Sequence, residues 1–154
     1  MKELSPKELL AIVLLVLLFL GQCGYLVSFH TITDDEHIHT AAGILYLRTG
    51  LFEGGFDNPP LIQLLYGLPY HLNLSQWQAT GLSPPYAARY VNMFLGLFLC
   101  LLIGLFSLRL HGTTGGLISL CLAVTSPSII AHSSITTLDT GLALFLVGCF
   151  YFLY

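Results

Sequence analysis

The chain has 154 residues, a length that suits one ordinary domain, but it is 55% hydrophobic and only 8% charged, against about 25% charged in soluble domains. Five Lys and Arg against eight Asp and Glu leave a net charge of -3, which supplies no basic stripe for phosphate neutralisation and argues against a nucleic-acid partner. Intrinsic disorder fails on hydrophobicity. The composition predicts an all-α, polytopic membrane protein, and the positions of its few charges carry the information, because a charge at membrane depth is costly.

Residues 9–29 form an apolar run without a charge, enough for a spanning helix of about 20 residues at about 1.5 Å each. The run exceeds the roughly 7 to 15 apolar residues of a signal peptide. Gln22-Cys23-Gly24 before bulky Tyr25 is also a poor cleavage site, so a retained anchor is expected. Residues 33–50 read TDDEHIHTAAGILYLRTG. Thr33 with Glu36 three residues on is a capping box, and Gly50 is a stop signal. Ile38, Ala41, Ala42, Leu45 and Tyr46 recur at helical spacing, predicting an amphipathic helix too short to span. Asn58-Pro59 starts a second surface helix, LIQLLYGLPYHL, which Pro69 is expected to bend or end.

Further apolar runs cover about 87–110 and 114–131, and a fourth begins near 139 and is still running at Tyr154. From Thr140 the fourth run provides only about 22 Å of helix against about 30 Å of hydrocarbon, which predicts a span that continues and a chain that is the first part of a larger protein. Lys2 and Lys7 precede the first span, and Arg109 closes the second beside the short loop 111–114. The positive-inside rule then puts the N-terminus in the cytoplasm and residues 30–85 and 133–139 on the outer face. Cys23, Cys100, Cys121 and Cys149 all lie in apolar runs without a CxxC spacing. They read as buried packing residues rather than a disulfide or zinc site.

The outer segments hold the candidate chemistry. Asp34, Asp35 and Glu36 are adjacent acids at a helix start, with His39 on the same face as Asp35. They either cap the helix and stabilise its dipole or carry chemistry, and Asp35 and His39, with His37 or His71, leave a divalent cation open as a cofactor. Asp139 reads as the N-cap of the fourth span or as a functional acid. Arg89 either snorkels to lipid phosphates or clamps a substrate phosphate. Tyr46, Tyr66, Tyr70, Trp77, Tyr86 and Tyr90 fit an interfacial aromatic belt among membrane lipids.

Taken in order, DEHIHTAAG, YLRTG, NPPLIQLLYGLP, ARYVNMFLGLF and SPSIIAHSSITTLDTGLALF resemble the start of the GT-C membrane glycosyltransferases. The likeness is to the phospholipid-carrier-dependent branch containing protein O-mannosyltransferases and aminoarabinose transferases, and it runs from about Leu9 to Tyr154. The resemblance implies a polyprenyl-phosphate sugar as donor, a protein, lipid or glycan hydroxyl as acceptor, and a plasma (inner) membrane location. It implies Asp35 as catalytic base, Glu36 beside it, and Asp139 as a supporting acid. It also places His39 and Gly43 in the first motif, and Pro59, Pro60 and Leu61 in the second surface helix. His39, Arg89, Asn58 and Pro60 are the implied substrate-binding residues. Asn58 stands where aminoarabinose-transferring members tend to carry Lys, a departure that counts against that sugar. The alternative is a non-catalytic small membrane protein, an assembly partner or degenerate fragment whose acids only cap helices. A transporter using Asp35, His37 and His39 ranks last, because the spans hold no deep ionisable residue.

Overall fold

The computed structural model describes residues 4–52, 58–79 and 84–154, with side chains described except at 73–79, 84 and 85. Among the described residues every regular element is an α-helix: α1 (Pro6–Phe29), α2 (Asp34–Thr49), α3 (Pro60–Ala79), α4 (Pro84–Val124), α5 (Pro127–Ser134) and α6 (Asp139–Leu153). Two stretches, Pro6–Phe29 and Tyr86–Val124, are long and apolar enough to cross a membrane.

Helix α1 starts where Ser5 and Glu8 exchange capping hydrogen bonds: Ser5 N and Oγ donate to Glu8 Oε2 at 2.6 and 2.8 Å, and Pro6 fills the first turn. Only Phe19, Cys23 and Val27 on it are buried, a stripe at four-residue spacing. Leu9, Leu10, Val13, Leu14, Leu17 and Leu18 face outward. An apolar helix with so narrow a buried stripe suits lipid on its remaining faces.

Helix α4 is a hairpin. Gly112 has φ 73° and ψ -171°, a left-handed backbone that favours glycine, and it separates an arm of residues 84–111 from one of 113–124. The arms lie side by side: Ser119 Oγ donates to Ser107 Oγ at 2.8 Å, and a Cβ on Gly116 would stand 2.9 Å from Leu108 Cβ and 3.1 Å from the Gly104 carbonyl. The short loop expected at 111–114 is this turn. The third run departs from expectation, for it does not continue as one helix to 131. It ends at Val124, Ser126 turns extended (φ -68°, ψ 117°), and α5 restarts with Pro127 in its first turn. Proline has no N–H to continue the helix and biases the preceding residue towards extended backbone.

Four other expectations are corrected in whole or in part. Of the two outcomes expected at Pro69, a bend or an end, the end does not occur: helix α3 runs through the proline to Ala79. The inward face of α2 is Glu36, Thr40, Ala42, Gly43 and Tyr46, whereas Ile38 and Leu45, expected on the apolar face, are exposed. The reason is close approach: a Cβ on Gly43 would collide with the Gln63 carbonyl and one on Gly67 with the Gly43 backbone, so α2 and α3 touch backbone to backbone through small residues. Tyr46, Tyr66 and Tyr70 are buried in that packing instead of forming a belt, and the Trp77 side chain lies outside the described residues. Cys23 and Cys100 are buried as expected, while Cys121 and Cys149 are exposed on apolar helices.

The core has two parts. Phe19, Cys23, Met93, Leu97, Cys100, Leu120, Val124 and Ile130 join α1, both arms of α4 and α5. Ile62, Tyr66, Tyr70, Ala87, Ala88 and Leu95 join α3 to α4, with Leu138 and Leu144 packed against them from the start of α6. The start of α1 and the Gly112 turn share one end, since Leu4 and Gly112 line the same apolar groove. Helices α2, α3 and the α5–α6 connection meet at the other.

Candidate functional site

The site end is organised by one buried ion pair. Thr33 caps α2 as the capping box predicts, its N and Oγ1 donating to Glu36 Oε1 at 3.0 and 3.2 Å. The same carboxylate receives Arg89 Nε at 2.6 Å on Oε2 and an Arg89 terminal nitrogen at 2.7 Å on Oε1, a two-pronged, charge-assisted contact. Thr136 N adds a bond to Oε2 at 3.0 Å. Arg89 spends its remaining donors on carbonyls at the end of α1: Val27 at 3.1 Å, His30 at 2.9 Å and Thr31 at 2.8 Å. Both side chains are fully buried.

All five guanidinium N–H groups are therefore bound within the protein, and the expectation that Arg89 clamps a substrate phosphate does not fit. Glu36, expected beside the base as a catalytic residue, is likewise shut off from solvent and serves as a junction of α1, α2, α4 and the α5–α6 connection. Burial alone would raise its pKa, but the bonds from Arg89, Thr33 N and Thr136 N, with the Arg89 charge, hold it at about 2. Glu36 is ionised throughout the physiological range and is no proton acceptor there.

Asp35 is exposed next to the buried Glu36, because adjacent positions of a helix point to different faces. His39, one turn on, is half-buried. Burial lowers its pKa below the usual 6.5, while the carboxylates of Asp35 and Asp139 both act to raise it. Asp139 also acts on Tyr66, whose hydroxyl is pushed well above its ordinary pKa by burial first and then by the charges of Asp139 and Glu36. Two acids 104 positions apart in sequence thus act on the same imidazole. Asp139 is not the N-cap of α6; Leu138 is, and Asp139 opens the first turn. Its Oδ2 lies 3.3 Å from His132 Nδ1 on the surface.

The residues that hold this arrangement belong to no motif in the sequence. Gln63 is fully buried, with Nε2 3.2 Å from His39 Nδ1. Asn92 donates to the His132 and Ile135 carbonyls at 2.6 and 2.5 Å and accepts from the Tyr66 hydroxyl at 2.8 Å. Tyr66 also faces the Thr137 carbonyl. These bonds pin the connection that leads into Asp139. A signal existed, for an amide within an apolar span must find partners, and Asn92 lies three residues after Arg89, on the same face.

Asn58 and Pro60 sit at the start of α3, half-buried and exposed respectively. Among the described residues no hydrogen bond or ion pair joins them to Asp35, His39 or Asp139. Nor do three or more His, Cys, Asp or Glu side chains gather there in a set that could hold a metal ion. Asp35 and His39 would supply two ligands, and the imidazole Nδ1 already faces Gln63.

Comparison with protein-family models, with curated proteins and with solved structures finds no match to this chain.

Proposed function

We propose that the chain is part of a membrane glycosyltransferase that moves a sugar from a polyprenyl-phosphate carrier to an acceptor hydroxyl at the outer membrane face. The observation that carries this reading is the buried frame in which Glu36, on the same helix as Asp35 and His39, binds both Arg89 and the Thr136 backbone and so ties together the outer segments that bear Asp35 and Asp139. Four spans cross the bilayer in this reading: α1, the two arms of the α4 hairpin, the second continued by α5, and α6. Helices α2 and α3 roof the outer leaflet. Lys7 and Arg109 mark the cytoplasmic end, and the membrane is a plasma (inner) membrane.

The reaction is a single inverting displacement. The Asp35 carboxylate takes the proton of the acceptor hydroxyl while the hydroxyl oxygen attacks the anomeric carbon. The bond from that carbon to the phosphate oxygen breaks, and its electron pair leaves with polyprenyl phosphate. An exposed carboxylate at the membrane boundary is suited to this, since the acceptor proton needs a base within hydrogen-bond reach. Asp139 orients the acceptor and His39 donates to the donor substrate. Glu36 and Arg89 are positioning residues, because every polar atom they present is bound within the protein.

Asp35→Asn keeps the shape and removes the base. Transfer of labelled sugar from polyprenyl phosphate in membrane vesicles is expected to fall about 100- to 10,000-fold, with insertion unchanged. Undiminished transfer would overturn the assignment. A second reading draws on a specific observation, the complete use of Glu36 as cap and ion-pair partner: a non-catalytic membrane protein whose acids only hold helices together. It predicts no transfer in the wild type.

A further inference from the structure

Gln63 is a buried polar side chain on α3 with one visible task. Its Nε2 lies 3.2 Å from His39 Nδ1, and its Oε1, also buried, has no hydrogen-bond partner. The two ways of orienting the amide are unequal. If Oε1 faced the imidazole, the NH2 group would be left with two buried and unsatisfied N–H donors. With Nε2 facing it, one of those donors is satisfied and one is left, and the carbonyl oxygen is orphaned in place of the other. Orphaned buried N–H groups are rarer than under-satisfied carbonyls, so the amide donates and Nδ1 accepts. A neutral imidazole that accepts at Nδ1 carries its proton on Nε2. Among the described residues Nε2–H has no partner, and the charged groups acting on the ring are Asp35 from its own helix and Asp139 from α6.

We propose that Gln63 is a positioning residue that holds His39 as the neutral Nε2–H tautomer, so that Nε2–H is a free donor to an oxygen of the sugar-phosphate substrate beside Asp35 and Asp139. The substrate assignment rests on the glycosyltransferase reading; the tautomer does not. The close α2–α3 contact is what makes the arrangement rigid. Gly43 and Gly67 let the backbones touch, which brings α3 near enough for a short amide to reach the imidazole. A neutral donor strengthens binding without adding a charge that would compete with the base for its proton.

The test is nitrogen NMR of the chain, labelled with 15N-histidine in lipid nanodiscs at neutral pH, with His39 identified by the signals lost in His39→Asn. The wild type is expected to show His39 Nε2 protonated and Nδ1 bare. Gln63→Glu replaces the donor with a carboxylate acceptor, which should protonate Nδ1 and raise the midpoint of His39 titration by at least about one pH unit. A wild-type spectrum with Nδ1 protonated and Nε2 bare overturns the proposal, as does an unchanged midpoint in Gln63→Glu. Should that variant fail to insert, the wild-type spectrum alone decides the tautomer. None of these spectra requires sugar transfer, whereas full activity of Asp35→Asn overturns the catalytic reading and leaves the tautomer untouched.

Discussion

The two arginines of α4 sit at opposite ends of its first arm and are held in opposite ways. Arg89 is fully buried and makes five hydrogen bonds, two of them to a carboxylate. Arg109 is exposed, makes one bond of 3.3 Å to the Tyr151 carbonyl and lies 4.3 Å over the Tyr151 ring. The first ties α4 to the end of α1 and, through Glu36, to α2 and the α5–α6 connection; the second rests against the end of α6. A buried charge is tolerated only when its partners are complete, so the Arg89 end must be rigid and intolerant. The Arg109 end has no such demand. Rigidity is thus concentrated where Asp35 and Asp139 are held, and that end is the one suited to chemistry needing fixed groups.

Breaking the pair should give the largest effect. Glu36→Gln leaves a buried guanidinium without its counter-charge, and Arg89→Met leaves a buried carboxylate. Each is expected to cost about 3–5 kcal/mol in detergent-solubilised protein, read from thermal or denaturant unfolding. Arg89→Lys should recover little, because an ammonium has three donors and no planar fork. Acid should do more gently what Glu36→Gln does outright. The folded pKa of Glu36, about 2, lies below its ordinary 4.5. The stability it contributes is therefore full above pH 4.5 and is lost as pH falls towards 2. The fall in thermal midpoint across that window should be present in the wild type and much reduced in Glu36→Gln; equal slopes would mean that another carboxylate controls it.

Gly43 tests the frame from a second side. Its Cβ would strike the Gln63 carbonyl, so Gly43→Ala must push α3 away from α2, an overpacking strain of about 1–3 kcal/mol. Gly21 on α1 is the control, since a Cβ there meets nothing within 4 Å. Gly21→Ala should be neutral or stabilising by up to about 1 kcal/mol. If both substitutions behave alike in unfolding measurements, the tight α2–α3 contact is not what the site depends on.

The parts legible in the sequence were those written within one or two turns of chain. Thr33 with Glu36, the stop at Gly50, the apolar run of α1 and the turn near Gly112 are all local signals, and each has its counterpart in the fold. Pro127 was also local, but its effect was hidden inside a run that remains apolar on both sides of it. Pairings across the chain were not legible. Glu36 and Arg89 are 53 positions apart, and Glu36 and Thr136 are 100 apart; no periodicity encodes which acid of three finds the arginine. Asp34, Asp35 and Glu36 look equivalent as a string. The rotation of α2, set by the Gly43–Gly67 contact, is what turns Glu36 inward and leaves Asp35 outside.

The smallest effect is expected at the opposite arginine. Arg109 gains from a half-wet hydrogen bond and from the Tyr151 ring beneath it, contacts worth about 0.5–1 kcal/mol at an exposed position. Arg109→Ala should therefore lower stability by no more than about 1 kcal/mol, and the salt dependence of unfolding should barely change, since no carboxylate partner is lost. Its consequence lies elsewhere. If Arg109 is the positive charge that keeps the Gly112 turn in the cytoplasm, Arg109→Glu should redistribute topology, read by the accessibility of a cysteine placed at Thr113 to an impermeant thiol reagent, without loosening the Glu36–Arg89 junction. A stability loss as large as that of Arg89→Met would instead mean that the two ends are mechanically coupled and that the contrast between them is only one of exposure.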